Sequence, residues 1–289
     1  MSEVWTIRRI VKWITDDLAP RGIGSPRLDA ELIVAEALGV DRVKLYLDLE
    51  RPLSPTELAT IRGLVARRRK REPMAYLRGR REFYGREMIV SPAVLVPRPE
   101  TETLVELALA AMPADRELRV LDLCTGSGCI GVTLLAERPL ARAVLTDLSA
   151  EALEIARRNA DKHVVAERAR FALGDLFAAL EAAEPAFDVI TANPPYIAES
   201  ERAALEPDVR DFEPGLALFA PDQGLAVVRR IARDAARGLV PGGVLFVEIG
   251  MTQGAATAEI FRAAGLVDVR VHADLGGRDR VVEGRRAPS

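Results

Sequence analysis

After residue 115 the chain alternates short β-forming runs with helix-forming stretches, and this alternation limits the fold more than any other feature of the sequence. The runs occupy 118–123, 143–147, 169–173, 187–192 and 243–249. Strands separated by helices pack as a parallel sheet covered on both faces, so the expected class is α/β. Leu266 to Val271 and Asp279 to Val282 suit a terminal antiparallel pair. At 289 residues, with 49% hydrophobic and 29% charged side chains, the chain has the balance of an ordinary globular protein with two domains.

The amino-terminal part reads differently. Val4, Ile7, Ile10, Val11, Ile14 and Leu18 recur at helical spacing, and Leu28, Leu32, Ala35 and Leu38 repeat it after Ser25-Pro26. A third helix starts at Ser54-Pro55-Thr56-Glu57, where Ser54 can cap and Glu57 can close a capping box. It runs into the basic stretch 67–71, which reads as cations at a helix end facing water. The expected domains are a helical one over 1–75, a hairpin and linker over 76–102, and an α/β domain over 103–289. Alternation around Gly85 signals the hairpin.

Charge and cysteine usage narrow the function classes. Net charge is −3, so no global positive field gathers a polyanion. Residues 1–100 carry 19 Lys and Arg against 14 Asp and Glu, while the remainder carries 21 against 29. A mildly basic domain beside an acidic one fits a partner docked across both. Cys124 and Cys129 with His163 and His272 are the only cysteines and histidines, and this set does not build a four-ligand zinc site. The longest charge-free run, Leu123 to Ala136, is 14 residues with three glycines, too short to span a bilayer. The first residues mix charged and apolar positions, unlike a signal peptide, so a reduced, cytoplasmic protein with no membrane association is expected.

Two constellations carry chemistry. The first strand of the α/β part enters Cys124-Thr125-Gly126-Ser127-Gly128-Cys129-Ile130-Gly131, where glycines permit a sharp turn before a helix whose N–H groups favour electron-rich ligands. Asp147 ends the second strand, where a carboxylate accepts from ribose hydroxyls. Loop and acid together point to a bound adenosine, and leave NAD and S-adenosylmethionine both open. The second constellation, Asn193-Pro194-Pro195-Tyr196, follows the fourth strand. Its prolines restrict the backbone and remove two N–H donors. The Asn193 oxygen and the Pro194 carbonyl can accept both hydrogens of a planar NH2 group, with the Tyr196 ring on its face. Such a cradle suits an amide or an exocyclic amine, and alkylation there by a sulfonium methyl needs position and polarisation more than a base.

With these residues in view the sequence resembles the HemK/PrmC family of release factor glutamine methyltransferases over nearly its whole length. The carriers are Tyr76 to Gly79, Phe83 to Gly85, Val94 to Glu102, Asp122 to Gly128, Asn193 to Tyr196, Glu213-Pro214, Ala217 to Phe219 and Asp279 to Val282. The resemblance implies a class I methyltransferase fold, Rossmann-like and mostly parallel with an antiparallel terminal strand, preceded by a small all-helical domain. It implies S-adenosylmethionine as methyl donor and the Gly-Gly-Gln glutamine of class I peptide chain release factors as acceptor, with N5-methylglutamine as product. Cys124, Thr125, Gly126, Ser127 and Gly128 then line the methionine and ribose, Asp147 binds ribose, and Asp175 and Leu176 edge the adenine. Asn193, shared with the cofactor, Pro194, Pro195 and Tyr196 hold the glutamine amide, and the helical domain recognises the factor. Cys124 stands where the family usually has glycine. Arg98, Glu100 and Glu248 keep no assigned role. The competing readings are an adenine-N6 methyltransferase on nucleic acid, a ribosomal-protein glutamine methyltransferase, an NAD-dependent oxidoreductase, and a non-catalytic module that docks on release factors; no sequence-specific nucleic-acid binding is expected.

Overall fold

A computed structural model describes residues 4–288. In chain order the first elements are α1 (Ile7–Leu18), α2 (Pro26–Leu38), α3 (Arg42–Leu47), α4 (Pro55–Arg68), α5 (Met74–Arg78), β1 (Arg80–Phe83), β2 (Arg86–Ile89) and α6 (Glu102–Ala110). There follow β3 (Arg119–Leu123), α7 (Cys129–Glu137), β4 (Arg142–Asp147), α8 (Ala150–Lys162), β5 (Ala169–Leu173) and β6 (Phe187–Ala192). The last are α9 (Pro207–Arg210), α10 (Gly215–Leu218), α11 (Ala226–Gly238), β7 (Leu239–Glu248), α12 (Gly254–Ala263), β8 (Val267–Ala273) and β9 (Asp279–Arg285). Two compact units result, one comprising the chain up to Gly79 with residues 207–212, the other the rest.

In the helical unit Ile7, Ile10, Ile14 and Leu18 form the buried stripe of α1 and meet Ile33, Val34, Ile61 and Val65 from α2 and α4. The first helix opens at Ile7 rather than Val4. Its leading N–H groups are taken by loop carbonyls, Ile7 donating to Arg51 and Arg8 to Leu49, while Thr6 caps Arg9. The capping box of Ser54 and Glu57 forms as its sequence requires. Helix α3 has one buried residue, Leu45, in six, and so has no apolar periodicity that a sequence reading can detect.

The basic stretch departs from expectation. Arg68 is buried and donates to Asp29 at 2.7 Å and to Asp208 at 2.6 Å, Arg71 pairs with the same Asp208, and Arg67 and Arg69 pair with Glu72 and Asp17. Arg68 and Arg71 thus tie the unit together from within, while Arg67 and Arg69 remain exposed as expected. Burial raises the Asp29 pKa while Arg68 opposes the rise. Removing Arg68 leaves a buried carboxylate uncompensated, so Arg68→Ala should lower the unfolding free energy by about 3 kcal/mol at pH 7. Without its partner Asp29 protonates more readily, so part of that loss should return as the pH is lowered to 5; equal stability of variant and parent in calorimetry would remove the ion network from this role.

The second unit contains the β1–β2 hairpin, whose two-residue turn places Tyr84 and Gly85 at φ 51° and 67°, as a type I′ connection demands. Its main sheet has strand order β5-β4-β3-β6-β7-β9-β8, parallel from β5 to β7, with β9 antiparallel to both β7 and β8. The chain builds outward from β3 in one direction and then returns to β6 on its other side, which makes the β3–β6 edge the switch point where α/β sheets bind ligands. One face buries Val120, Val189 and Phe246 against Leu104, Ile130 and Leu134; the other buries Leu121, Ile190 and Leu245 against Val228, Ile231 and Phe261. Strand alternation assigns these faces. Among the described residues no helix is long and apolar enough to cross a membrane.

Candidate functional site

The parallel register determines what meets at the carboxyl edge of the sheet. Leu123 pairs with Thr146 on one side and with Ala192 on the other, and Ala192 pairs with Val247. The next residue of each strand or loop therefore stands in one row: Asp147, Cys124, Asn193 and Glu248. Adjacent members are separated by about one strand spacing, roughly 4.8 Å. The two constellations, 69 positions apart between Cys124 and Asn193, become neighbours by this pairing alone.

Buried Asp122 fixes the loop that follows β3. Its carboxylate accepts from the Thr125 hydroxyl at 2.5 Å, the Thr191 hydroxyl at 2.8 Å and the Gly131 N–H at 3.2 Å. The loop needs left-handed backbone at Cys124, Gly126 and Gly128, with φ of 55°, 54° and 80°. A glycine takes that conformation freely, whereas a side chain costs about 1–2 kcal/mol, which gives the physical meaning of cysteine at 124. Gly128 has a second constraint: a Cβ there would stand 3.0 Å from the Ala156 Cβ of α8. Asn159 of α8, wholly buried, donates to the Ser127 carbonyl and exchanges two hydrogen bonds with Ile89 of the hairpin.

A cavity of about 390 Å³ opens along this edge, a size suited to a small-molecule ligand. Its walls include Cys124, Thr125, Gly126, Ser127, Asp147, Asp175, Leu176, Asn193 and Pro195. Gly128, Pro194 and Tyr196 are not among the wall residues. The Asp147 carboxylate accepts the N–H of Gly126 at 2.8 Å and of Ser149 at 2.9 Å, one on each oxygen, which leaves the carboxylate capacity for a further donor. Burial nevertheless raises its pKa. Asp175 pairs with Arg230, and Leu176 is buried with φ 53°. Arg98, another wall residue, donates to Glu213 at 2.5 Å, and the other Glu213 oxygen takes the Val96 N–H.

Asn193 lies in the same wall, its Nδ2 donating to the buried Thr101 hydroxyl at 3.3 Å. The backbone of Tyr196 is held from another part of the chain. Gln253 Nε2 donates to the Tyr196 carbonyl at 2.9 Å, and a Cβ on Gly224 would sit 1.9 Å from that same oxygen. Burial pushes the Tyr196 hydroxyl above its usual pKa, which keeps the phenol neutral. Thr101, Gln253, Gly224 and Asn159 were not singled out as individual site residues by the sequence reading. Thr101 lies within the Pro-Arg-Pro-Glu-Thr-Glu stretch that carried the resemblance, whereas Gln253, Gly224 and Asn159 belong to no recognisable local pattern.

Residues 9–79 match the PrmC N-terminal domain and residues 101–206 the methyltransferase small domain. A release factor glutamine methyltransferase of Geobacter sulfurreducens is 43% identical over 98% of both chains. One of Cereibacter sphaeroides is 47% identical over 93% of this chain and 94% of its own, and one of Caulobacter vibrioides 41% identical over 100% and 97%. This chain belongs to the release factor glutamine methyltransferase family. More distant solved structures share the fold alone. The hMettl16 catalytic domain superposes with a TM-score of 0.56 at 16% identity, covering 69% of this chain and 74% of its own. A Pyrococcus furiosus methyltransferase gives 0.51 at 18%, over 71% and 91%. For a release factor glutamine methyltransferase the class I fold, with its antiparallel terminal strand, agrees with the resemblance seen in the sequence.

The Asp122 clamp yields a stability test. Burial outweighs its three hydrogen bonds and pushes its pKa up to about 6, from 3.8. A raised folded-state pKa contributes stability that is fully present below the unfolded value and lost as the pH rises through the folded one. Relative to Asp122→Asn, the parent should therefore gain about 2 kcal/mol of unfolding free energy between pH 7 and pH 4. A constant difference across that range in chemical denaturation would contradict the buried clamp.

Proposed function

We propose that this protein transfers the methyl group of S-adenosylmethionine to the side-chain amide nitrogen, N5, of the glutamine in the Gly-Gly-Gln loop of class I peptide chain release factors. The observation that carries the reading is the juxtaposition at the switch point. The cavity wall built by Thr125, Gly126, Ser127 and Asp147 and the start of the Asn-Pro-Pro-Tyr turn stand on adjoining strands of one sheet.

The cavity suits an adenosyl sulfonium on its own chemistry. Asp147 retains acceptor capacity for ribose hydroxyls, Leu176 supplies an apolar wall for a base, and the left-handed Gly126 leaves open space where a side chain would otherwise project. When bound, the cofactor supplies a methyl group on a positively charged sulfur, a strong electrophile. The chain's own residues then bind and orient the acceptor. The Asn193 oxygen and the Pro194 carbonyl accept the two amide hydrogens, and the Tyr196 ring covers the amide plane. Holding nitrogen at about 3–3.5 Å from the carbon it attacks removes much of the entropic barrier, and acceptor oxygens favour the developing positive charge on nitrogen. As the nitrogen–carbon bond replaces the sulfur–carbon bond, the alkylated nitrogen gives up one of its two protons to water, and among the described residues no histidine lines the cavity.

The helical unit recognises the release factor, and the chemistry takes place in the cytoplasm on a protein substrate. The acidic balance of the part that holds the site disfavours an adenine amine in nucleic acid as acceptor, since duplex or single-stranded substrates need a basic channel. Transfer of a tritiated methyl group to purified release factor, with duplex DNA and ribosomal protein as competing acceptors, tests the substrate. Peptide mass spectrometry should place the label on the glutamine of the Gly-Gly-Gln loop; label on DNA or on another residue overturns the reading. Asn193→Ala should keep cofactor affinity while turnover falls by about 10² or more, equivalent to about 2.7 kcal/mol of barrier. Asp147→Ala should instead weaken cofactor binding first, read by calorimetric titration, and an unchanged dissociation constant would remove Asp147 from the cofactor site.

A further inference from the structure

Glu248 is the one member of the carboxyl-edge row to which neither the cofactor nor the acceptor gives a role. It ends β7 beside Asn193, is 1% exposed and does not line the cavity. A carboxyl group buried to that degree is costly unless it is hydrogen-bonded. The Thr101 and Asn193 side chains are near enough to favour its ionised form, while its Oε2 has no hydrogen-bond partner among the described residues. Asn193 Nδ2 also reaches the Thr101 oxygen.

The significance lies in the symmetry of an asparagine side chain. Its oxygen and nitrogen ends have nearly the same shape and opposite hydrogen-bonding character, so packing alone does not decide which faces the cavity. The acceptor cradle works only if the oxygen does. An ionised carboxylate accepts and never donates, and a threonine hydroxyl that donates to it is left with lone pairs for another donor. Both neighbours of Asn193 on that side therefore demand its NH2 end. We propose that Glu248 is a positioning residue for methyl transfer: through direct contact and through Thr101 it holds the Asn193 nitrogen inward and so turns the Asn193 oxygen toward the acceptor amide. This rests on the cradle reading of Asn193 given above.

Charge state is central to such a device. Burial pushes the Glu248 pKa up to about 7, Thr101 and Asn193 oppose the rise, Arg280 opposes it electrostatically, and Glu100 adds to it. Tyr196 and Cys129 also sense its charge, and both keep their protons through burial. Below about pH 7 the protonated Glu248 becomes a donor and the demand for the NH2 end lapses. The rate of methyl transfer should therefore rise with pH through that value.

Four variants test the proposal, each assayed for kcat, KM for release factor, cofactor dissociation constant and pH profile. Glu248→Gln keeps shape and removes the obligate acceptor. It should lower kcat by at least about tenfold, leave the cofactor constant within about twofold, and flatten the pH profile near 7. Asn193→Asp sets two carboxyl groups against each other and should also lose at least about tenfold. The double variant, Asn193→Asp with Glu248→Gln, restores a donor facing an acceptor with the polarity reversed, since the amide introduced at position 248 can donate to one oxygen of the new carboxylate while the other faces the cavity. It should regain at least about tenfold over Asn193→Asp alone. A Glu248→Gln enzyme with parental kcat and pH profile, or a double variant no better than Asn193→Asp, overturns the role of Glu248. Asn193→Ala separates the two ideas: its parental turnover would overturn the cradle itself, whereas an inactive Asn193→Ala beside a fully active Glu248→Gln overturns only the positioning.

Discussion

A single buried carboxylate, Asp122, joins the three pieces on which the site is built. It accepts from the loop that lines the cavity, from the strand that delivers Asn193, and from the helix whose N-terminus closes the turn. Two of these bonds stay within residues 122–131, while the third ties that stretch to Thr191, 69 positions from Asp122. The helix approaches closely enough that a Cβ on Gly131 would sit 2.9 Å from Leu145. The loop after β3, the end of β6 and the start of α7 are thus set by one polar cluster, and the cluster tolerates no unpaired member at that depth.

Asp122 and Glu248 show how burial serves two ends. Both carboxyl groups are raised by loss of water, the first to about 6 and the second to about 7. Asp122 recovers three donors and becomes a joint. Glu248 recovers fewer and keeps one oxygen without a partner among the described residues, a state that persists in a folded protein only when the surroundings enforce it.

Much of the fold was legible because its signals are local. The capping box at Ser54, the Gly85 turn and the apolar runs of β3, β4 and β6 each act within a few residues, and strand order follows from the parallel crossovers. The loop after β3 and the turn after β6 were legible too, as motifs, and the register explains why they cooperate. What escaped depends on partners far along the chain. The basic stretch at the end of α4 finds Asp17, Asp29 and Asp208, and no window of sequence contains all of them. Helix α3 has too small a buried face to imprint a period, and Gly128 proves to be constrained by Ala156 of a helix two elements later as well as by its own dihedral.

Gly224 draws attention to a further property of the turn that follows β6. The four residues from Asn193 to Tyr196 look self-contained, a rigid unit fixed by its own rings. Yet the last carbonyl of the unit fills the space that any side chain at 224 would occupy, and the Gln253 amide clasps both that carbonyl and the one at Gln223. The turn is a casting whose mould is supplied by two distant loops. Transplanted into another sheet without them, the same tetrapeptide would keep its stiffness and lose its aim.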